Sequence, residues 1–165
     1  MIKKPLIIYS ILFILCACNQ TVDPHLAFKQ GDYENAFAIW KIRATENDLE
    51  AQNALGTHYL LGLGVKKDLN LAKQWYQKAA ELGYPDAQRN LGSMYESGYV
   101  NNSRDFEKAF IWFYAAHRQG HVHAGDSLKI LAATTKLSPN NQMVLREEAQ
   151  KYIINEILSV SDNDY

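Results

Sequence analysis

The stretch AQNALGTHYLLGLGVKKDLNLAKQWYQKAAELG, residues 51–83, carries the strongest structural signal in the chain because the chain repeats it almost at once. Residues 87–120 read AQRNLGSMYESGYVNNSRDFEKAFIWFYAAHRQG. Residues 51–86 can be laid over residues 87–123 with one residue inserted in the second copy, which predicts two like structural units in tandem. The identical positions, numbered in the first copy, are Ala51, Gln52, Leu55, Gly56, Tyr59, Gly62, Asp68, Ala72, Trp75, Ala79 and Gly83.

The spacing within each copy is helical. Ala51, Leu55 and Tyr59 fall at i, i+4 and i+8, which places them on one face of an α-helix. A second run with the same spacing follows, in which Ala72 and Tyr76 share a face. Each copy is therefore predicted to be a pair of amphipathic helices.

Residues that begin and end helices stand at equivalent places in both copies. Asp68 and Asp105 precede the second apolar run and are suited to cap its first turn. Gly83 and Gly120 follow that run, where a glycine in the left-handed conformation commonly ends a helix. The sequence thus predicts where the second helix of each copy starts and stops.

Two glycines interrupt the first helix of each copy. Gly56 and Gly92 occupy equivalent positions inside a predicted helix, where glycine costs about 1 kcal/mol relative to alanine. A cost that recurs in both copies needs a structural reason. We predict that a neighbouring helix approaches too closely at these positions to admit a Cβ atom.

This combination of motifs resembles the Sel1-like repeat family, which is related to the tetratricopeptide repeats. The resemblance implies an all-α fold, a short right-handed α-solenoid of helix-turn-helix repeats. It extends weakly upstream through Gly31, Asp32, Tyr33 and Trp40, and downstream through Ala124 and Leu128. At its turn the second copy has Val100 where the first has Gly64, so this loop is expected to differ in shape.

Clear repeats at residues 51–86 and 87–123 are expected within a repeat domain that spans residues 24–158. Ser138 and Pro139 begin a last apolar helix, which we predict to cap the stack over residues 139–158. The tail, residues 159–165, is expected to fray.

The first residues have the layout of an export signal. Lys3 and Lys4 precede a short apolar run, and small residues follow it, so residues 1–17 are predicted to be a signal peptide. Leu15-Cys16-Ala17-Cys18 resembles the lipobox of bacterial lipoproteins, which implies a lipid on Cys18 and a tether over residues 18–23. In that family, Asn19 after the cysteine implies the outer membrane, with the domain facing the periplasm. An ordinary secretory signal is the alternative.

Composition narrows the chemistry that the folded part can perform. The 165 residues carry a net charge of −1, which gives no basic footprint for nucleic acid. Both cysteines lie within the first eighteen residues, so the repeats have no disulfide, cysteine-zinc site or thiol nucleophile. No phosphate-binding or hydrolase motif is present. We therefore expect no enzymatic activity, no catalytic residue and no cofactor.

Two groups of side chains suggest ligands but have simpler explanations. His117, His121 and His123 could together hold zinc. Gly120 is predicted to end the helix between them, so we expect no metal site. The tryptophans recur once per repeat unit, and their helical spacing favours packing between helices over a ligand platform. They are Trp40, Trp75 and Trp112.

The first helices of the repeats are expected to form a concave surface on which positions not needed for packing are free to bind a partner. We therefore predict a non-enzymatic scaffold that binds a protein of the cell envelope. Some Sel1-like lipoproteins serve as immunity proteins against secreted toxins, and an immunity or adaptor role is one form of this hypothesis. An enzyme or ligand-binding protein acting on peptidoglycan-related substrates is the alternative. The predicted contact residues are Asn53, Thr57 and His58 in the first copy and Arg89, Ser93 and Met94 in the second.

Overall fold

The computed structural model describes residues 23–135 and 137–153. The predictions for the signal peptide, Cys18 and the frayed tail lie outside the described residues. Within the described ranges the chain forms eight α-helices and one 3-10 turn, with no β-strand. The helices are α1 (Pro24–Lys29), α2 (Tyr33–Thr45), α3 (Leu49–Leu61), α4 (Leu69–Glu81), α5 (Pro85–Ser97), α6 (Phe106–Arg118), α7 (Ala124–Thr134) and α8 (Pro139–Ala149).

The predicted helix ends are confirmed. The Asp68 carboxylate accepts hydrogen bonds from the backbone N–H groups of Asn70 and Leu71 at the start of α4. Asp105 accepts one from the backbone N–H of Lys108 at the start of α6. Gly83 and Gly120 have φ angles of +82° and +85°. They therefore adopt the left-handed conformation that ends α4 and α6.

Helices that are consecutive in sequence pack against one another in a short α-solenoid. The pairs α3–α4 and α5–α6 make the most extensive contacts, and α4–α5 joins the two pairs. Two hydrophobic clusters run along the stack. One lies under α1 to α3 around Trp40 and Leu55, and the other extends from α4 to Ile153 around Tyr76 and Phe113.

The close approach predicted at the two helical glycines is confirmed. A Cβ on Gly56 would lie 2.5 Å from Cδ1 of Tyr76 on α4. A Cβ on Gly92 would lie 2.7 Å from Cδ1 of Phe113 on α6. Both rings are almost fully buried, so neither can move aside without disturbing the core. The glycines let the two helices of each repeat pack at this distance.

The capping helix predicted over residues 139–158 ends early, and residues 154–158 of that prediction lie outside the described residues. The helix α8 ends at Ala149 and a 3-10 turn follows over Gln150–Tyr152. The carbonyl of Tyr152 accepts a hydrogen bond of 2.8 Å from Nε2 of Gln88. The Tyr152 ring packs on Trp112, with ring centroids 4.2 Å apart. Tyr152 makes these contacts with the second repeat after the chain has left the α-helix. The apolar spacing of the sequence did not predict that the helix ends there.

The end of the stack also departs from a regular repeat. The helix α8 packs on α6 and makes little contact with α7, its neighbour in sequence. In the part of the chain that the structure describes, no helix combines the length and the apolar character needed to cross a membrane.

Candidate functional site

A pocket of about 270 Å³ opens between α1, α3 and the start of α5. The helix α3 supplies most of its wall, and we refer to it as the α3 pocket. Because α3 is the first helix of its repeat, the pocket lies on the surface where the sequence predicted partner binding. Its lining residues are His25, Phe28, Trp40, Glu50, Asn53, Ala54, Thr57, His58, Tyr84 and Asp86.

Two of the six predicted contact residues, His58 and Met94, are each only 1% exposed, which corrects the expectation that they are accessible; His58 nevertheless lines the α3 pocket, as a buried part of its wall. His58 lies seven residues after Ala51, and Met94 lies seven residues after Ala87. That spacing puts both on the same apolar stripe as the repeat alanines. Neither side chain is accessible on the outer surface of its helix.

The other four predicted residues are half-buried, and the structure ties several of them into the fold. Nδ2 of Asn90 donates to Oδ1 of Asn53 at 3.0 Å, which links α5 to α3. The hydroxyl of Thr57 lies 2.9 Å from that of Tyr76. Nε of Arg89 is buried without a hydrogen-bond partner among the described residues. Asn53 and Thr57 line the α3 pocket, whereas Arg89 and Ser93 lie outside it.

Acidic and aromatic residues of the pocket were missed. Glu50 and Asp86 each stand immediately before the first alanine of their repeat, so an acid at the same position in both copies was an available signal. The Glu50 and Asp86 side chains are 46% and 58% exposed. Both carboxylates can therefore be reached from solution. His25 and Tyr84 could not be placed there from sequence because they lie on other elements.

Acidic side chains surround Tyr84 at the pocket. Burial raises the pKa of the Tyr84 hydroxyl to about 12, and the negative charges of Asp86 and Glu50 add to that increase. Both of these carboxylates have imidazole partners. Nε2 of His25 lies 3.1 Å from Glu50, and Nε2 of His121 lies 3.2 Å from Asp86.

His58 forms a buried part of the pocket wall. Its Nδ1 lies 2.7 Å from the carbonyl oxygen of Leu63. Because a carbonyl can only accept, Nδ1 carries the proton of the neutral ring. Burial lowers the pKa of His58, although the hydrogen bond to Leu63 opposes this, so the neutral form is favoured. Nε2 is therefore a hydrogen-bond acceptor, and it has no partner among the described residues.

The three C-terminal histidines do not converge on one point. Gly120 ends α6 after His117, and His121 turns toward Asp86 on the second repeat. The rings of His121 and His123 have centroids 6.1 Å apart. In residues 23–135 and 137–153, no group of three or more His, Cys, Asp or Glu side chains is placed to hold a metal ion.

The tryptophans behave as packing residues. Trp40 and Trp112 are 2% and 6% exposed, which confirms the prediction for these two. Trp75 is half-buried against the cluster under α1 to α3. Nζ of Lys78 lies 4.3 Å from the centroid of its ring. The indole of Trp75 thus packs on one side and carries a cation–π contact on the other.

The loop that differs between the repeats does have a different shape. Asn101 and Asn102 have φ angles of +58° and +52°, and Val100 is buried. An open cleft of about 460 Å³ lies between this loop and Leu137, and its wall includes both Arg104 and Lys108. The loop that carries the insertion thus forms one wall of this cleft.

Comparisons with known proteins identify the repeats. Residues 49–84 and 85–121 match the model of the Sel1 repeat, two residues ahead of the boundaries predicted from the sequence. The helices α3 and α4 form the first of these repeats and α5 and α6 the second. Residues 49–121 therefore form two Sel1 repeats.

Two curated proteins are similar to about half of this chain. Over 88 residues, 53% of this chain, it is 34% identical to a putative sel1-like repeat-containing protein of Acanthamoeba polyphaga mimivirus. Over 75 residues, 46% of this chain, it is 33% identical to the DAP3-binding cell death enhancer 1 of Rattus norvegicus. The matches span 16% and 14% of those relatives.

A solved structure covers more of the chain. It is a protective antigen of uropathogenic Escherichia coli strains that displays an SLR fold. The similarity covers 86% of this chain and 32% of that one, at 27% sequence identity and a TM-score of 0.72. The chain thus corresponds in length to a fraction of each of these proteins.

Proposed function

We propose that this protein is a non-enzymatic interaction module that binds a protein partner of the bacterial envelope and is held at the membrane by a lipid on Cys18. Sel1 repeats are protein-interaction modules in general. The observation that carries the proposal is the surface of α3 and α5, where Asn53, Thr57, Arg89 and Ser93 occupy equivalent positions in the two repeats and remain partly accessible. A repeated polar surface of this kind suits recognition of another protein.

The experiment is partner capture from envelope extracts by the lipidated full chain. The test variant combines Asn53→Asp with Arg89→Glu, which changes the charge of the α3–α5 surface by −3. The matched control combines Gln74→Asp with Lys66→Glu, which makes the same charge change at exposed positions on α4 and in the loop before it. We expect the test variant to lose the partner and the control to keep it, with melting curves confirming that both fold. Equal capture by both variants would place the binding surface elsewhere.

Membrane attachment has its own test. Cys18→Ser is expected to abolish metabolic labelling with a fatty acid and to release the protein from the membrane fraction, because the acyl chains are the proposed anchor. The matched control is Cys16→Ser, which should leave labelling and attachment unchanged. Labelling that persists in Cys18→Ser would refute lipidation at that residue.

The immunity form of the proposal is supported by the short tether. Asn19 to Asp23 can span at most about 18 Å, which would keep the repeats close to the bilayer. A domain in that position could intercept a toxin that attacks the membrane or the cell wall. A toxin gene beside this one, together with protection of cells by the wild type and not by the Asn53→Asp, Arg89→Glu variant, would support immunity. Normal toxin resistance in a deletion strain would favour an adaptor role.

A further inference from the structure

The α3 pocket contains hydrogen-bond acceptors and aromatic walls but no permanent cation. Of the ten described residues that line it, none is lysine or arginine. Two carboxylates, Glu50 and Asp86, lie at its wall and are about half exposed. Arg43, which is not among the lining residues, bonds to Asp48 at 2.6 Å, lies 3.8 Å from Glu50 and has its Cζ 4.8 Å from the centroid of the Trp40 ring.

The buried part of the pocket wall also requires a donor. Nε2 of His58 is an acceptor on a side chain that is 99% buried, and no donor among the described residues bonds to it. A buried polar atom without a partner costs about 1–3 kcal/mol, so a ligand that brings a donor would recover part of that cost. The unpartnered Nε2 of His58 is separate evidence from the acidic residues. Like the carboxylates, it would bind a hydrogen-bond donor.

Size and shape favour a single side chain as the occupant. Pockets for small-molecule ligands usually measure about 300–1,000 Å³, and the α3 pocket at about 270 Å³ lies just below that range. Trp40, Phe28 and Tyr84 are the aromatic residues among those that line it. A guanidinium group is planar, stacks on aromatic rings and offers five N–H donors in a rigid fork, whereas an ammonium group is a compact point charge.

We propose that the α3 pocket receives an arginine side chain of the protein partner, with Glu50 and Asp86 pairing with the guanidinium group and Nε2 of His58 accepting one of its N–H donors. This inference rests on the proposed function and specifies the partner's chemistry. It predicts that the partner presents an arginine at the centre of its contact surface. Nε2 of His25 lies within hydrogen-bond distance of one oxygen of Glu50, and a carboxylate has further lone pairs that can accept from the ligand.

The test uses a peptide probe and needs no knowledge of the partner. The probe is the capped tripeptide acetyl-Gly-Arg-Gly-amide, titrated into the detergent-solubilised full chain labelled with ¹⁵N in tryptophan. Trp40 lines the pocket, and the three indole N–H signals can be assigned from single Trp→Phe variants. We expect a saturable shift of the Trp40 signal and little change for Trp75 and Trp112.

Charge and isostere controls make the result specific. Replacing arginine by citrulline keeps the shape and removes the charge, and this peptide should shift Trp40 at least five-fold less. Glu50→Gln with Asp86→Asn should weaken arginine-peptide binding at least five-fold, because the carboxylates supply the charge-assisted hydrogen bonds. Glu107→Gln with Glu147→Gln changes the net charge equally at exposed positions outside the pocket and should bind like the wild type.

Three outcomes would overturn the inference. They are the absence of a Trp40 shift with the arginine peptide, an equal shift with the citrulline peptide, and equal weakening in the two double variants. None of these outcomes contradicts the proposed function, because that function is tested separately by partner capture with the Asn53→Asp, Arg89→Glu variant. Loss of capture in that variant, combined with a negative peptide result, would support the proposed interaction surface and refute arginine binding in the α3 pocket.

Discussion

The two Sel1 repeats bury the same glutamine in different surroundings. Gln52 in the first repeat is 3% exposed, and its Nε2 donates to Ala44 at 3.4 Å while its Oε1 has no partner among the described residues. Gln88 in the second repeat is fully buried. Its Nε2 donates to Ala80 and Tyr152, and its Oε1 accepts from Nε2 of Gln119 at 2.8 Å.

The difference shows that equivalent residues in tandem repeats need not contribute equally to stability. Both glutamines donate to a carbonyl of the helix before them, at 3.4 Å from Gln52 and at 3.1 Å from Gln88, so this bond is common to the two repeats. The additional bonds of Gln88 come from Gln119 at the end of α6 and from Tyr152 after α8. Tyr152 therefore ties the C-terminal segment to the second repeat, and Gln52 has no corresponding bond among the described residues.

The largest effect expected from this asymmetry is at the glutamines themselves. Gln88→Met keeps the side-chain length but leaves several buried groups without their partner, so we expect a loss of about 3 kcal/mol in the free energy of unfolding. Gln52→Met removes one long bond and one unpaired acceptor, and should cost about 1 kcal/mol or less. Urea denaturation of both variants measures the difference. Equal losses would mean that the C-terminal contacts do not stabilise the second repeat.

The helical glycines should give a smaller effect that is similar in both repeats. Helix propensity alone predicts that Gly56→Ala and Gly92→Ala stabilise the protein by about 1 kcal/mol each. The collisions of the new Cβ with Tyr76 and Phe113 predict a net loss of about 1–2 kcal/mol, since overpacking commonly costs more than the propensity gain. The sign of the change in unfolding free energy separates the two explanations. Ser97→Ala, at the exposed end of α5, is a suitable control for propensity.

The smallest effect concerns the helix caps. Asp105 caps α6 and also pairs with Nζ of Lys108 at 2.8 Å, whereas Asp68 makes no ion pair among the described residues. Burial alone would raise the pKa of Asp105, but the hydrogen bonds and charge of Lys108 outweigh it and lower that pKa. Asp105 therefore contributes stability above the pKa of about 3.9 that it has in the unfolded chain, and this is lost as the pH falls through the lower folded value.

Asparagine still caps a helix but cannot form the ion pair. Asp105→Asn should therefore cost less than about 1 kcal/mol at neutral pH and low salt, and should flatten the fall in stability below about pH 4. Melting temperatures measured across pH and salt concentration test this. The matched variant Asp68→Asn should show less salt dependence. A salt dependence of equal size in both variants would contradict the role given to Lys108.

The repeats, the capping aspartates and the close-packed glycines could all be predicted because each leaves a signal in local spacing. The α3 pocket could not be predicted in full. Its walls come from four helices, and the acids that give it its charge do not belong to the periodic pattern. His58 and Met94 were predicted to be accessible because the prediction weighed their polar or flexible character above their position seven residues after an alanine of the stripe.

The C-terminal segment shows that the end of a helix can also be beyond prediction from local sequence. Ser138 was correctly predicted as the residue that caps α8, since its hydroxyl accepts from the backbone N–H of Asn141. The end of that helix was not predicted, because it depends on contacts that Tyr152 makes with Gln88 and Trp112 from more distant parts of the chain. Such contacts leave no periodic trace in the sequence.

The sequence by itself determined the family, the helical repeats, their caps and the glycines at the helix crossings, because these depend on residues within one or two helical turns of each other. Only the tertiary structure decided which side chains of α3 and α5 are accessible, which of the two glutamines is fully bonded, and that a small pocket with acidic side chains forms beside α1. Those properties depend on which distant element covers each position. The burial and the electrostatic environment of a residue depend on all of its neighbours in space. The order of residues along the chain does not show which residues those neighbours are.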